Sequence, residues 1–402
     1  MKKQKVLLVT GNFPPGIGGM QSYYHNLCKF SKHQVTVLAP HYKDDEAFDA
    51  KQPYKVIRGH FFKDEKINLT AWGRLLRQTL RTIRQENIEV TIYGYILIGI
   101  IGWLFNVLFD KKYVISVHGK DVMELRKFFP LGFIGKMIMN RASGIIANSE
   151  FTRKEVEKYG IEPSKIQIVY PGVEEGFEYQ QKDPAMLKKL GLENKYVLMT
   201  LSRLVKRKGH DMVIRSLPQI AETIPNVAYL IVGDGPERRR LEKLALQLGV
   251  RDRVVFAGRA GDDKNIKMYY NLCDQFVMIS RYLERKGNVE GFGIVYLEAA
   301  SCHKAVVAGN SGGVSEAVLD KVTGLLVDPN SADQICNAVV KYFNNPGLMR
   351  QITDTAYERA KTSFKYSSLA QLFDSYLTNV CKQRYPVKVE PEVVTSNSHL
   401  RF

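Results

Sequence analysis

KVLLVTGNFPPGIGGMQSYYHNL, residues 5–27, holds an apolar β-branched run, a turn rich in glycine and proline, and the start of a helix. The run Lys5–Thr10 is apolar along both of its alternating faces, as a strand covered from both sides in a parallel sheet must be. Gly16, Gly18 and Gly19 precede a helix beginning near Met20, which places pliable backbone and helix N–H groups where an anion approaches. No Gly-Lys-Ser/Thr follows, so this is not a P-loop, and the G-x-G-x-x-G dinucleotide pattern is absent. The opening run is about six residues long before it meets Gly and Pro, which fits a first strand and not a signal peptide.

Further along, the same alternation of apolar runs and amphipathic stretches repeats. Strands are expected at Gln34–Ala39, Tyr54–Ile57, Glu89–Tyr93, Tyr113–His118, Gly144–Asn148 and Ile166–Val169, with helices at Met20–Phe30, Ala71–Gln85 and Glu150–Tyr159. The segment VYPGVEEGFEYQQKDP, residues 169–184, breaks the pattern as a connector would. A second series follows, with strands at Tyr196–Ser202, Ala228–Gly233, Val254–Phe256, Gln275–Ile279, Ala305–Val307 and Gly324–Val327. Its helices are expected at Asp211–Glu222 and Pro236–Leu248, and a helical region runs from Ala332 to Lys382. The fold class is therefore α/β, with two Rossmann-like doubly wound domains facing each other across a cleft at the carboxyl ends of their strands. The expected division is 1–175, 176–362, a helix over 363–384 returning to the first domain, and a disordered tail over 385–402.

A chain of 402 residues exceeds one ordinary core, and 45% hydrophobic with 25% charged residues excludes disordered, collagenous and coiled-coil classes. The five cysteines are scattered without C-x-x-C or Cys/His clustering and read as reduced thiols, with no metal site. The net charge of +17 asks for an anionic partner. Nucleic acid is discounted, because no basic-aromatic stripe, zinc finger or helix-turn-helix signature accompanies the charge. From Ile92 to Phe109 the chain carries no charge over eighteen residues, near the ~20 that span a bilayer. Gly94, Gly99, Gly102 and Asn106 interrupt it, and the reading adopted is a buried strand followed by a helix.

Chemistry should sit on loops after strands. TLSRLVKRKGHD, residues 200–211, places Arg203 and Lys208 around such a loop, where guanidinium and ammonium groups suit a diphosphate. NVEGFGIVYLEAASC, residues 288–302, places Glu290 and Glu298 on either side of a Gly-Phe-Gly turn, with a helix from about Ile294. Turn N–H groups and the helix N-terminus can hold a phosphate or sugar hydroxyl, and each carboxylate can accept from hydroxyls. GNSGGVSEAV, residues 309–318, reads as a tight turn and a cap rather than as catalysis. SVHGKD, residues 116–121, puts His118 at a strand end and Asp121 where it either meets an acceptor or caps a helix.

These motifs, in this order, resemble the retaining glycosyltransferases of family 4, which have the two-Rossmann GT-B fold. The wording closest to NFPPGIGGMQSYYHNL and VEGFGIVYLEA is that of phosphatidylinositol mannosyltransferases using GDP-mannose. The resemblance implies a hexosyltransferase taking its sugar from a nucleotide diphosphate sugar, GDP-mannose or a UDP-hexose, without a cofactor or metal, and passing it to a glycan or lipid-linked acceptor. It implies that Arg203 and Lys208 neutralise the leaving diphosphate, that Glu298 holds the ribose and that Glu290 holds sugar hydroxyls. Backbone groups of Gly291, Phe292, Gly293 and Ile294 would orient sugar and phosphate, Gly18 and Gly19 would close over the diphosphate, and His118 would contact the sugar. Gly233, Gly258 and Arg259 are candidates for the base.

Arg74, Arg77, Arg81 and Arg84 fall three or four apart on one helical face, which is either a solvated face or one that rests on anionic lipid. A cytoplasmic place is expected, with peripheral attachment to the inner face of the plasma membrane as an extension. Two other readings are weaker. A sugar-nucleotide epimerase of the same fold needs its own acid/base set, and a noncatalytic binding protein has no need of the full set of donor residues.

Overall fold

The computed structural model describes residues 3–61, 69–261, 263–283 and 287–382. The expected tail, 385–402, lies outside the described residues. Two all-parallel sheets organise the chain. The first contains β1 (Lys5–Val9), β2 (Gln34–Pro40), β3 (Lys55–Gly59), β4 (Val90–Tyr93), β5 (Lys112–Val117), β6 (Gly144–Ala147) and β7 (Ile166–Ile168), in the order β3-β2-β1-β4-β5-β6-β7. The second contains β8 (Tyr196–Leu201), β9 (Val227–Val232), β10 (Val254–Gly258), β11 (Gln275–Met278), β12 (Ala305–Gly309) and β13 (Leu325–Val327), in the order β10-β9-β8-β11-β12-β13.

Each sheet reverses its winding once, between β1 and β4 and between β8 and β11, and ligands of such sheets bind beyond the strand ends at that point. The alternation read in β1 is used on both faces. Leu7 and Val9 join a core with Leu75, Ile101 and Ile138, whereas Val6 and Leu8 join one with Tyr23, Leu27 and Phe373.

The uncharged stretch is a strand and a helix, β4 and Gly99–Phe109, and among the described residues no helix is long and apolar enough to cross a membrane. Its glycines have a packing reason. A Cβ on Gly99 would fall 2.3 Å from Ile115 Cδ1, and one on Gly102 would fall 2.5 Å from the Tyr93 ring, so the helix backbone lies directly on the sheet. Val107, Leu108 and Phe109 at its far end are exposed.

The terminal helical region is three helices, Ala332–Asn344, Pro346–Ser363 and Tyr366–Lys382. The last packs on the first sheet's helix Gly19–Phe30, where the Asp374 carboxylate accepts from Ser31 Oγ (2.6 Å) and the Lys32 amide (2.7 Å). The chain thus passes between the sheets twice, and the passages touch: the Val173 amide donates to the Phe364 carbonyl at 2.9 Å. Tyr170, Phe292 and Phe364 form an aromatic cluster there, with ring centroids 5.4–5.9 Å apart. A helix at Asp263–Leu272 was not anticipated from the sequence.

Candidate active site

β8 and β11 are neighbours, and the loops leaving them meet at one carboxylate. Glu290 Oε2 accepts from Arg207 Nη1 (2.5 Å), Lys208 Nζ (2.6 Å) and Ser280 Oγ (3.2 Å). Its Oε1 takes no hydrogen bond among the described residues. Burial alone would raise the carboxyl, but Arg207 and Lys208 outweigh it and hold the group down at about 2. Burial pushes the Lys208 ammonium below its usual range, with Glu290 opposing and Arg207 adding to the depression. The trio keeps one net positive charge, with two cations on one carboxylate.

Arg281 holds this loop in place. Its amide donates to the Arg207 carbonyl (2.9 Å) and its Nε to the Lys206 carbonyl (3.1 Å). Its guanidinium grips both oxygens of buried Asp211 at 2.7 and 2.9 Å. Arg203, expected beside Lys208, is exposed and makes no ion pair among the described residues, whereas Arg207 occupies the cluster.

The turn Gly291–Gly293 follows Glu290 and opens the helix Ile294–Ser301, with Gly293 at φ +100°. The Phe292 side chain is 2% exposed and belongs to the core, so only its backbone is available to a ligand. Glu298, on that helix, accepts from Tyr270 Oη at 2.7 Å. A Cβ on Gly291 would stand 2.2 Å from the His118 carbonyl oxygen, so this turn lies against the first domain. One on Gly19 would stand 3.4 Å from Ile294 Cγ2, which brings the first glycine loop to the same helix N-terminus.

The Gly312–Gly313 turn supports Glu290 from behind, with the Gly313 amide donating to its carbonyl at 3.0 Å. Glu316 caps a helix as expected, but the helix is the first domain's Glu150–Glu157. Its two oxygens accept from the Glu150 and Phe151 amides at 2.6 and 2.7 Å.

On the opposite wall, His118 directly follows β5. Its Nε2 is 2.6 Å from Tyr24 Oη, and the Tyr23 and Tyr24 rings meet it edge-on. Burial lowers its pKa to about 4, so the ring is neutral near pH 7. Asp121, expected either to meet an acceptor or to cap a helix, lies inside the helix Lys120–Lys127, whose N-cap is Gly119. The side chain is 4% exposed, and Oδ1 accepts from the His118 amide at 2.9 Å. Burial raises its pKa to about 6. Gly18 stands as N-cap of the helix Gly19–Phe30.

At the other end of the cleft wall, the Gly233 amide donates to the Gly258 carbonyl at 2.7 Å, which joins the two loops expected around the base. The Arg259 side chain is 85% exposed, with Asp234 3.8 Å away. Arg74, Arg77, Arg81 and Arg84 are all exposed on the helix Leu69–Gln85. A patch that the sequence reading missed lies after the helix Lys120–Lys127. Phe128, Phe129 and Phe133 are 59%, 93% and 68% exposed, beside exposed Arg126, Lys127 and Lys136.

Residues 17–177 match the family model for Glycosyltransferase Family 4, and residues 182–359 match that for Glycosyl transferases group 1. A GDP-mannose-dependent alpha-(1-6)-phosphatidylinositol monomannoside mannosyltransferase of Mycolicibacterium smegmatis is 33% identical over 350 residues, 85% of this chain and 90% of that one. Its namesake from Mycobacterium tuberculosis is 31% identical over 353 residues, 84% of this chain and 88% of that one. Among solved structures, Anabaena HepE in complex with UDP and glucose superposes with a TM-score of 0.77 at 22% identity, over 93% of this chain and 99% of that one. Sucrose-phosphate synthase from Thermosynechococcus elongatus superposes with a TM-score of 0.78 at 21% identity, over 95% of this chain and all of that one.

Proposed function

Because the chain belongs to glycosyltransferase family 4, we propose that it transfers mannose from GDP-mannose, with retention and without a metal, to a lipid-linked acceptor. The observation that carries this reading is Glu290, held ionised between Arg207 and Lys208 with one oxygen still open, next to the Gly291 turn that lies against His118. The open oxygen can accept from a sugar hydroxyl, while the net positive charge of the cluster stabilises the diphosphate as its charge grows in the transition state. Arg203, exposed at the start of the same loop, supplies further charge from the rim. The turn at Gly291–Gly293 and the helix N-terminus behind it offer N–H groups to the sugar-bearing phosphate. Glu298 holds the ribose, and Gly233, Gly258 and Arg259 lie toward the base. The leaving phosphate oxygen takes the acceptor proton, so the protein's contribution is position and charge rather than a covalent intermediate.

GDP-mannose as donor is supported by the names of the mycobacterial relatives, and a UDP-hexose is the second donor to test. A lipid-linked acceptor is supported by the same names and by the exposed Phe128, Phe129 and Phe133 among basic residues, a surface suited to the headgroup region of an anionic membrane. The face bearing Arg74, Arg77, Arg81 and Arg84 adds charge to that attachment. Incubation of the protein with radiolabelled GDP-mannose, UDP-glucose or UDP-N-acetylglucosamine and a membrane lipid extract should label lipid from GDP-mannose. Label entering lipid only from a UDP-sugar would replace the donor, and an altered sugar nucleotide without transfer would make the protein an epimerase. Vesicle flotation should show binding to anionic but not neutral liposomes, weakened by salt, and binding indifferent to lipid charge would remove the membrane surface from the reading.

A further inference from the structure

Tyr24 Oη lies 2.6 Å from His118 Nε2 and 3.1 Å from the carbonyl oxygen of Gly94. Tyr24 and the Gly94 carbonyl are fixed. Tyr24 is 3% exposed on the helix Gly19–Phe30, and Gly94 follows β4, with its amide bonded to the Val9 carbonyl at 2.9 Å. Gly94 has to be glycine for this approach, since a Cβ there would fall 2.9 Å from Tyr24 Oη.

The proton count of these three groups has one consistent solution. A phenol carries one hydroxyl proton, a carbonyl oxygen can only accept, and a neutral imidazole carries one ring proton. If Nδ1 of His118 held that proton, Nε2 and the Gly94 oxygen would both need the single proton of Tyr24, and one of the two close contacts would set acceptor against acceptor. If Nε2 holds it, Nε2–H donates to Tyr24 Oη, Tyr24 O–H donates to the Gly94 oxygen, and both contacts are hydrogen bonds. The nearby Ser116 hydroxyl leaves this solution intact, because as a donor it needs only the second lone pair of Tyr24 Oη. The titratable groups around the ring are Tyr23, Tyr24 and Asp121: burial keeps both phenols neutral, Asp121, raised only to about 6, is mostly ionised at pH 7, and burial of His118 itself still holds its pKa at about 4, so the ring stays neutral near pH 7.

We infer that Tyr24 is a positioning residue that fixes His118 as the Nε2–H tautomer and presents Nδ1 as a hydrogen-bond acceptor to a hydroxyl of the transferred sugar. Nδ1 makes no hydrogen bond among the described residues, and His118 keeps partial exposure at the strand end that faces the Gly291–Gly293 turn. A consequence for substrate class follows: the site takes a neutral hexose, whose hydroxyl can donate, and disfavours a hexuronate, whose carboxylate at this position can only accept. The inference rests on the proposed transfer for the identity of what meets Nδ1, but the tautomer itself does not.

The test has two arms that fail separately. In the first, the intact protein labelled with 15N-histidine is examined by long-range 15N–1H correlation, with the His118 signal identified by its loss in His118→Gln. The expected pattern is neutral imidazole protonated at Nε2, and protonation at Nδ1 in the unliganded protein overturns the inference. In the second, Tyr24→Phe should lower kcat about tenfold, the loss of one hydrogen bond's worth of orientation, with the KM for the donor within about twofold of the wild type. The remaining seven histidine signals, unmoved, report that the variant is folded. Unchanged kcat in a folded Tyr24→Phe overturns the positioning role. Of the donor that the wild type turns over, the matching uronate, GDP-mannuronate or UDP-glucuronate, should react at least about a hundredfold more slowly, and equal rates overturn the hydroxyl assignment. If no sugar nucleotide is turned over, the transfer reading fails while the first arm still decides the tautomer.

Discussion

At the scale of the residue, the centre of this molecule is one carboxylate between two cations, Glu290 with Arg207 and Lys208. On the proposed transfer, Lys208→Ala should lower turnover by about 100-fold or more, because it would remove charge that stabilises the growing charge of the diphosphate. The circular dichroism spectrum should stay as in the wild type, since Arg207 still pairs Glu290. Near-normal activity would take Lys208 out of the mechanism. The carboxylate also makes a prediction about pH. Its folded pKa is depressed to about 2 from 4.5, so its contribution to stability is complete above about pH 4.5 and disappears as pH falls toward 2. Urea titrations should therefore find Glu290→Gln less stable than the wild type at pH 7 and equal to it near pH 2, and a constant difference across that range would contradict the assignment.

Which of these residues could be read in advance depended on what they sit beside. Glu290 and Lys208 each precede a glycine in a loop that leads from a strand to a helix, and His118 ends an apolar run, so each has a local mark. Arg207 has none. In the run Lys206-Arg207-Lys208 three cations look alike, and only the path of the loop around the Arg281–Asp211 pair decides which of them turn inward. Tyr24 was equally hidden, because a buried aromatic on a helix reads as core, and its hydroxyl gains a role only from two partners 70 and 94 residues away.

At the scale of the element, strands were legible because a parallel strand covered on both faces has to be apolar throughout, and all thirteen occur at or within a few residues of an expected run, β13 and β7 being the shortest. The helix Asp263–Leu272 was not, since DKNIKMYYNL alternates polar and apolar residues without a clear stripe. The helix Gly99–Phe109 was legible in kind and ambiguous in setting. Its lack of charge suits a bilayer as well as a core, and what separates them is the contact of Gly102 with Tyr93 and Tyr113. Gly102→Val should therefore drive methyl groups into those rings and cost about 1–3 kcal/mol of stability, measured from urea midpoints. A variant as stable as the wild type would mean that the helix stands further from the sheet.

At the scale of the whole molecule, several contacts bring the domains together around the cleft, among them Gly291 against His118, Ile294 against Gly19, Gly287 against Met123 and Glu124, Lys127 over the Tyr282 ring, and the Glu316 carboxylate on the helix Glu150–Glu157. The last is a polar latch of two hydrogen bonds to an N-terminus that has no other charged partner from the second domain among the described residues. Glu316→Ala should remove about 1 kcal/mol of this closure and populate a more open form, seen as a larger radius of gyration in solution scattering. Scattering curves that superpose would show that the remaining contacts suffice.

The paired passages at Val173 and Phe364 carry a consequence of a different kind. Chain that leaves the first sheet at one point and returns beside it delimits an insertion, since the sheet's own elements, including the last helix, all lie outside the two passages. In genetic terms the second sheet, with the helices encoded between the two passages, is a cassette with adjoining ends, inserted into the gene segment that encodes the first.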